Sequence, residues 1–132
     1  MKVGVEHSVG SIDVVVTPEM SARLDGREIH PVYSTFWLAH HAEVAARRAI
    51  EPFFDDGENA VGAELSLKHL GMTAIGATVH ITARVSGVRG SRITCVIEAR
   101  VGNKNTLVAE GIQVQVCLAD AVLRDKVARA LH

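Results

Sequence analysis

Ser34-Thr35-Phe36-Trp37-Leu38-Ala39-His40-His41-Ala42-Glu43-Val44-Ala45-Ala46-Arg47-Arg48-Ala49-Ile50-Glu51-Pro52 is the stretch that decides how this chain folds. Leu38, Ala42, Ala45 and Ala49 recur at helical spacing, with Phe36 and Ile50 beside that stripe and Arg47 and Arg48 off it. The pattern predicts a helix over residues 36–51. Ser34 or Thr35 can cap it, because a hydroxyl can accept a bond from an early backbone N–H that has no partner inside the helix. Pro52 and the Asp55-Asp56-Gly57 turn stop it. Side chains this small let a sheet approach closely, so the helix is suited to being wrapped by one.

Working outward, residues 12–17 read as a short β-branched strand closed by Pro18, which cannot donate to a sheet ladder. Residues 19–31 are polar, carry Asp25-Gly26 as a turn signal and show neither period, which predicts a loop or flap. Beyond the helix, Ala63, Leu65, Leu67 and His69 alternate with Glu64, Ser66 and Lys68, so His69 points where the leucines point. Val79, Ile81, Ala83 and Val85 form the next row, which turns near residues 87–90 into Ile93, Cys95, Ile97, Ala99 and Val101. Gly102-Asn103-Lys104-Asn105 then turns into a last strand ending in Ile112, Val114, Val116 and Leu118, with Gly111 as a bulge. Residues 119–131 read as a short terminal helix. A strand, a long helix and four mostly antiparallel strands make an α+β layer, one helix on one face of a five-stranded sheet.

The chain has 132 residues, 48% of them hydrophobic, which fits one domain over residues 1–132 with a real core. Only 4% are aromatic, so that core must be aliphatic. A net charge of -1 leaves no electrostatic footprint for nucleic acid or an anionic membrane. No apolar run approaches the roughly 20 residues that cross a bilayer. Cys95 and Cys117 make neither a metal spacing nor a disulfide framework, and no basic, apolar leader opens the sequence. Together these predict a cytoplasmic protein with free thiols.

Three polar residues stand in apolar company: Thr35 at the mouth of the helix, Glu43 two turns in, and His69 at a strand end. A hydroxyl, a carboxylate and an imidazole are the parts of acyl-transfer sites. Each also has a plain structural reading, Thr35 as the cap, Glu43 as a surface partner of Arg47, and His69 as a half-buried ring bonded to a carbonyl. Eight residues of regular helix set Thr35 and Glu43 about 12 Å apart along the axis. The two can converge only through substrate, a break in the helix start or a second subunit. His40 and His41 face two directions on the helix, and His40 with Glu43 is not the two-histidine spacing of a helical zinc site, so no metal is expected.

The motif Tyr33-Ser34-Thr35-Phe36, Glu43, the helix end Arg48-Ala49-Ile50-Glu51-Pro52, Gly57-Glu58, Gly62 and Leu67-Lys68-His69 resembles the fluoroacetyl-CoA thioesterase family of hot-dog proteins. The likeness covers roughly residues 9–118. It implies a hot-dog fold and hydrolysis of a small acyl-CoA thioester to carboxylate and free CoA, without a cofactor. It implies Thr35, Glu43 and His69 as catalytic residues and Tyr33, Ser34, Phe36 and Gly62 as substrate-binding ones. It also implies a homodimer whose sheets join edge to edge, with the sites at the interface. A non-catalytic acyl-CoA binder and an enoyl thioester hydratase are the alternatives. The hydratase needs an inward Asp near His69, and the pattern offers none. Residues 18–33 are shorter than the segment that carries lid phenylalanines in the fluoroacetyl-specific member, and they contain no Phe. An open acyl pocket is expected.

Overall fold

The computed structural model describes residues 1–131. Strand β1 spans Val9–Val15, β2 Ser21–Leu24 and β3 Arg27–Tyr33, followed by helix α1, Thr35–Ile50. Strands β4 (Glu58–His69), β5 (Thr78–Arg89), β6 (Arg92–Val101) and β7 (Thr106–Ala119) lead to helix α2, Asp120–Ala130. Five strands pair antiparallel in the order β1-β5-β6-β7-β4, which leaves β4 at one edge.

The expected rows form the core. Leu38, Ala42, Ala45 and Ala49 of α1 lie against Val79, Ile81, Ala83 and Val85 of β5 and Ile93, Cys95, Ile97 and Ala99 of β6, all buried. Each fully buried Ile, Leu or Val there contributes about 1.5–3 kcal/mol relative to exposure. Phe36 departs from its expected place beside the stripe. It is 75% exposed, set edge-on to the Trp37 ring and bordering a cleft with Ser21 and Arg23 of β2.

Three local expectations are corrected. Residues 19–31 hold a 3-10 turn and most of a β-hairpin, β2 against β3, rather than a loop. Its turn is the Asp25-Gly26 pair, with φ of 52° and 74°. Most of the hairpin is exposed, so no alternation of apolar and polar residues marked its strands. Gly111 is in regular register with both neighbours; the extra residue of β7 is Val108, between Ala109 opposite Ala99 and Leu107 opposite Arg100. Gly111 is needed for a different reason, since a Cβ there would lie 1.9 Å from the Ser66 carbonyl oxygen.

The third correction positions the site. Gly62 pairs with Gln115 and Glu64 with Val114, so Ala63 is a bulge and does not share the inward row. Leu65, Leu67 and His69 keep that row as expected, each half-buried. On the other side of the bulge the inward positions are Ala60 and Gly62, and Gly62 faces Glu43 of α1.

Candidate active site

Ser34, not Thr35, caps α1. Its hydroxyl accepts a hydrogen bond from Trp37 N–H at 3.1 Å, and Ser34 itself is buried. Thr35 is therefore the first helical residue, with its hydroxyl released from capping. The segment is held from both sides, Tyr33 N–H donating to the Thr73 carbonyl and Ser34 N–H to the Met20 carbonyl. His69 ends β4, and the next two N–H groups, of Leu70 and Gly71, both reach the Val108 carbonyl. The bulged strand β7 thus fixes where β4 stops. Between these anchored ends, Thr35 Oγ1 lies 2.9 Å from His69 Nδ1. A cleft of about 320 Å³ opens beside the pair, bordered by Ala22 and Val32 of the hairpin and by Leu70 and Met72.

Burial lowers the pKa of His69 from its ordinary 6.5, which favours the neutral ring. A neutral ring that accepts the Thr35 hydroxyl proton at Nδ1 carries its own proton on Nε2, and that atom is buried with no partner among the described residues. Tyr33 packs its ring edge-on to His69, centroids 6.5 Å apart. The Tyr33 hydroxyl in turn lies 2.6 Å from His41 Nδ1. Burial raises the Tyr33 pKa and, with the neighbouring His40, lowers that of His41, so the phenol donates and the imidazole accepts. Trp37 stacks on the other side of His41. The ring behind His69 is thereby fixed in place.

Glu43 is elsewhere. Helix α1 is continuous from Thr35 to Ile50, so no break brings Glu43 back to Thr35. Its Oε2 accepts a hydrogen bond from Gln113 Nε2 at 2.9 Å, and it lines a second cleft of about 450 Å³ with Arg47, Gly62 and Gln115. A Cβ at Gly62 would sit 3.2 Å from Glu43 Oε2, a tight approach that glycine avoids in front of the carboxylate. The surface pairing with Arg47 does not form. Arg47 is taken by Glu51 at 2.5 Å and by the Ala60 carbonyl. Thr35 and His69 therefore border one cleft and Glu43 with Gly62 another. Of the residues expected at substrate, Tyr33 and Ser34 border the first cleft with their polar atoms already engaged, while Phe36 projects from the helix start. Among the described residues, no group of three or more His, Cys, Asp or Glu side chains could hold a metal ion.

Residues 16–121 match the fluoroacetyl-CoA-specific thioesterase family. The chain belongs to that family. A fluoroacetyl-CoA thioesterase of Streptantibioticus cattleyicolor is 29% identical over 96 residues, covering 68% of this chain and 69% of the relative. A Thermus thermophilus protein described as a thioesterase superfamily member is 32% identical, covering 95% of this chain and 91% of its own, with a TM-score of 0.90. A hot-dog-like protein from Thermanaerovibrio acidaminovorans, 19% identical over 96% of this chain and 92% of its own, has a TM-score of 0.85 and shares the fold. The family's hot-dog fold is thus the one observed, and acyl-CoA thioester hydrolysis is the chemistry of the group.

Three buried polar side chains were not singled out in the sequence. Gln113 and Gln115 lie on the inward face of β7. The apolar alternation of Ile112, Val114, Val116 and Leu118 drew attention to the opposite face. The available signal was the pair of amides two residues apart in a strand otherwise rich in valine. The third is His41, passed over with His40 as a doublet, though it lies seven places after the cap and one turn from both Leu38 and Ala45, the spacing of the inward stripe.

Proposed function

We propose that this chain hydrolyses short acyl-CoA thioesters, with the Thr35–His69 hydrogen bond as the reacting pair. The 2.9 Å contact carries the reading, because it places a base nitrogen on a hydroxyl that the helix cap has left unused. His69 Nδ1 takes the Thr35 proton as the oxygen attacks the thioester carbonyl. The N–H groups of Thr35 and Phe36, early in the helix and without an intrahelical partner, are donors for the developing oxyanion. Collapse breaks the C–S bond, and His69 returns the proton to the departing CoA thiolate. Water then attacks the Thr35 ester carbonyl as a carboxylate takes its proton, the acyl C–O bond breaks, and that proton passes to Thr35 Oγ1, which restores the hydroxyl and the free carboxylate.

Glu43 supplies that carboxylate from a second subunit. Strand β4 is an unpaired edge, which proteins cover or pair. Antiparallel pairing of β4 with its copy about a two-fold axis near Leu65 places Gly62 of one protomer close to His69 of the other. We read the protein as a single-domain homodimer working in the cytoplasm, with Cys95 and Cys117 both buried as free thiols. Besides Tyr33, the hairpin and the Leu70–Met72 loop border the cleft with Ala22, Val32, Leu70, Gly71 and Met72 and no phenylalanine, so we assign small acyl groups without fluorine selectivity.

Thiol release from acetyl-, propionyl- and fluoroacetyl-CoA tests the activity, and a non-catalytic binder or a hydratase releases none. His69→Ala should lower kcat by about 10²-fold or more. Mixing inactive His69→Ala and Glu43→Gln dimers tests the shared site: subunit exchange should restore about a quarter of wild-type activity, since one heterodimer site is intact. No recovery after verified exchange rejects the shared site.

A further inference from the structure

We infer that Gln113 is a positioning residue that aims Glu43, which deepens the proposed function and rests on it. Gln113 is 0% exposed and sits on β7 between β6 and β4, with Ala109 and Cys117 in the same buried row. A primary amide in the middle of an aliphatic sheet is costly unless its groups are bonded. Its Nε2 is bonded to Glu43 Oε2, while its Oε1 has no partner among the described residues. A glutamine retained only to satisfy itself would have both ends paired. The amide therefore acts on the carboxylate more than the carboxylate acts on it.

The bond determines which oxygen is available. Glu43 belongs to α1 and Gln113 to the sheet, so the contact locks a long, rotatable side chain against a rigid floor. With Oε2 held by the amide, Oε1, which would lie 3.6 Å from a Cβ at Gly62, is left as the acceptor the amide does not occupy. Holding a carboxylate in one rotamer matters because misplacement by about 1 Å can cost 10²-fold in rate. Gln115 supplies the contrast. It is buried two residues further along the same strand face, but its Nε2 donates to the Ala46 backbone carbonyl and braces the helix instead.

The test compares Gln113→Met with Gln115→Met in thiol release from acetyl-CoA. Methionine keeps the length and removes the donor. Gln113→Met should lower kcat about 10-fold or more with KM changed less than about 2-fold, while Gln115→Met changes neither by more than about 2-fold. Added to Glu43→Gln, Gln113→Met should have no further effect on kcat, because the group it aims is already gone. If Gln113→Met does not fold, Gln113→Asn, which keeps the amide but shortens its reach, should give the same kcat loss and the same non-additivity. Equal losses in the wild-type and Glu43→Gln backgrounds, or equal losses at Gln113 and Gln115, overturn the inference. A wild-type kcat in Gln113→Met while Glu43→Gln is inactive overturns it alone. A fully active Glu43→Gln overturns both it and the role given to Glu43.

Discussion

Ser34 and Thr35 are adjacent hydroxyls with separate duties, and substituting each by alanine should separate stability from activity. Ser34 Oγ accepts the Trp37 N–H at 3.1 Å, so Ser34→Ala removes a helix cap at a buried position. Loss of such a cap costs about 1 kcal/mol. For a domain of this size that is roughly 3–6 °C in Tm. The Thr35 hydroxyl caps nothing and bonds His69 at 2.9 Å in an exposed setting, so Thr35→Ala forfeits a net stabilisation of only about 0.5–1 kcal/mol. Its kcat should nevertheless fall by about 10²-fold or more, whereas Thr35→Ser should recover most of the rate. Ser34→Ala, assayed well below its Tm, should turn over at close to the wild-type rate. Thermal unfolding followed by circular dichroism and thiol release at 25 °C read the two effects independently. The reasoning is refuted if Thr35→Ala keeps its kcat and loses as much Tm as Ser34→Ala, since the threonine would then be the cap and the 2.9 Å contact idle.

The acid limb of kcat should lie below pH 6.5, because burial lowers the His69 pKa and the neutral base persists to lower pH; a pH–rate profile with its acid midpoint above 6.5 rejects this. Stability should fall with pH over the same range. His41 and His69 both have lowered folded-state values, so below 6.5 the unfolded chain binds more protons, and urea titrations at pH 7.5 and 5.5 should show the lower midpoint at 5.5. Gly111→Ala should cost about 3 kcal/mol or prevent folding, because its Cβ would meet the Ser66 carbonyl of β4; a wild-type urea midpoint contradicts that packing. Without a phenylalanine lid, kcat/KM for fluoroacetyl-CoA and acetyl-CoA should differ by no more than a one-group pocket allows, about 1–3 kcal/mol; a preference of about 10⁴-fold for the fluorinated substrate rejects the open pocket.

The elements legible in the sequence are those with one face in the core. Leu38, Ala42, Ala45 and Ala49 announced α1, and the rows of β5 and β6 were read residue for residue, because burial on one side imposes a period. The hairpin β2–β3 escaped for the converse reason. It buries little, so selection on its side chains left no alternation, and only the backbone requirement for positive φ at Asp25-Gly26 marked it. Contacts such as Tyr33 with His41 and Glu43 with Gln113 were illegible because they join elements far apart in sequence or depend on which inward-facing polar atoms meet.

The bulge at Ala63 shows how a small irregularity assembles the site. A strand in strict alternation that aims His69 inward aims residue 63 inward and residue 62 outward. The extra residue reverses that parity on the far side of the bulge, so both His69 and Gly62 face α1, one at its first residue and the other beside Glu43. Without it, Gly62 would turn to the outer face and the side chain of Ala63 would fill the space in front of the Glu43 carboxylate. Within one chain β4 pairs only with β7, so the extra residue disturbs a single ladder of the sheet. One inserted residue on an edge strand thus lets a single strand serve two chemically different ends, an imidazole against a hydroxyl and a bare backbone against a carboxylate.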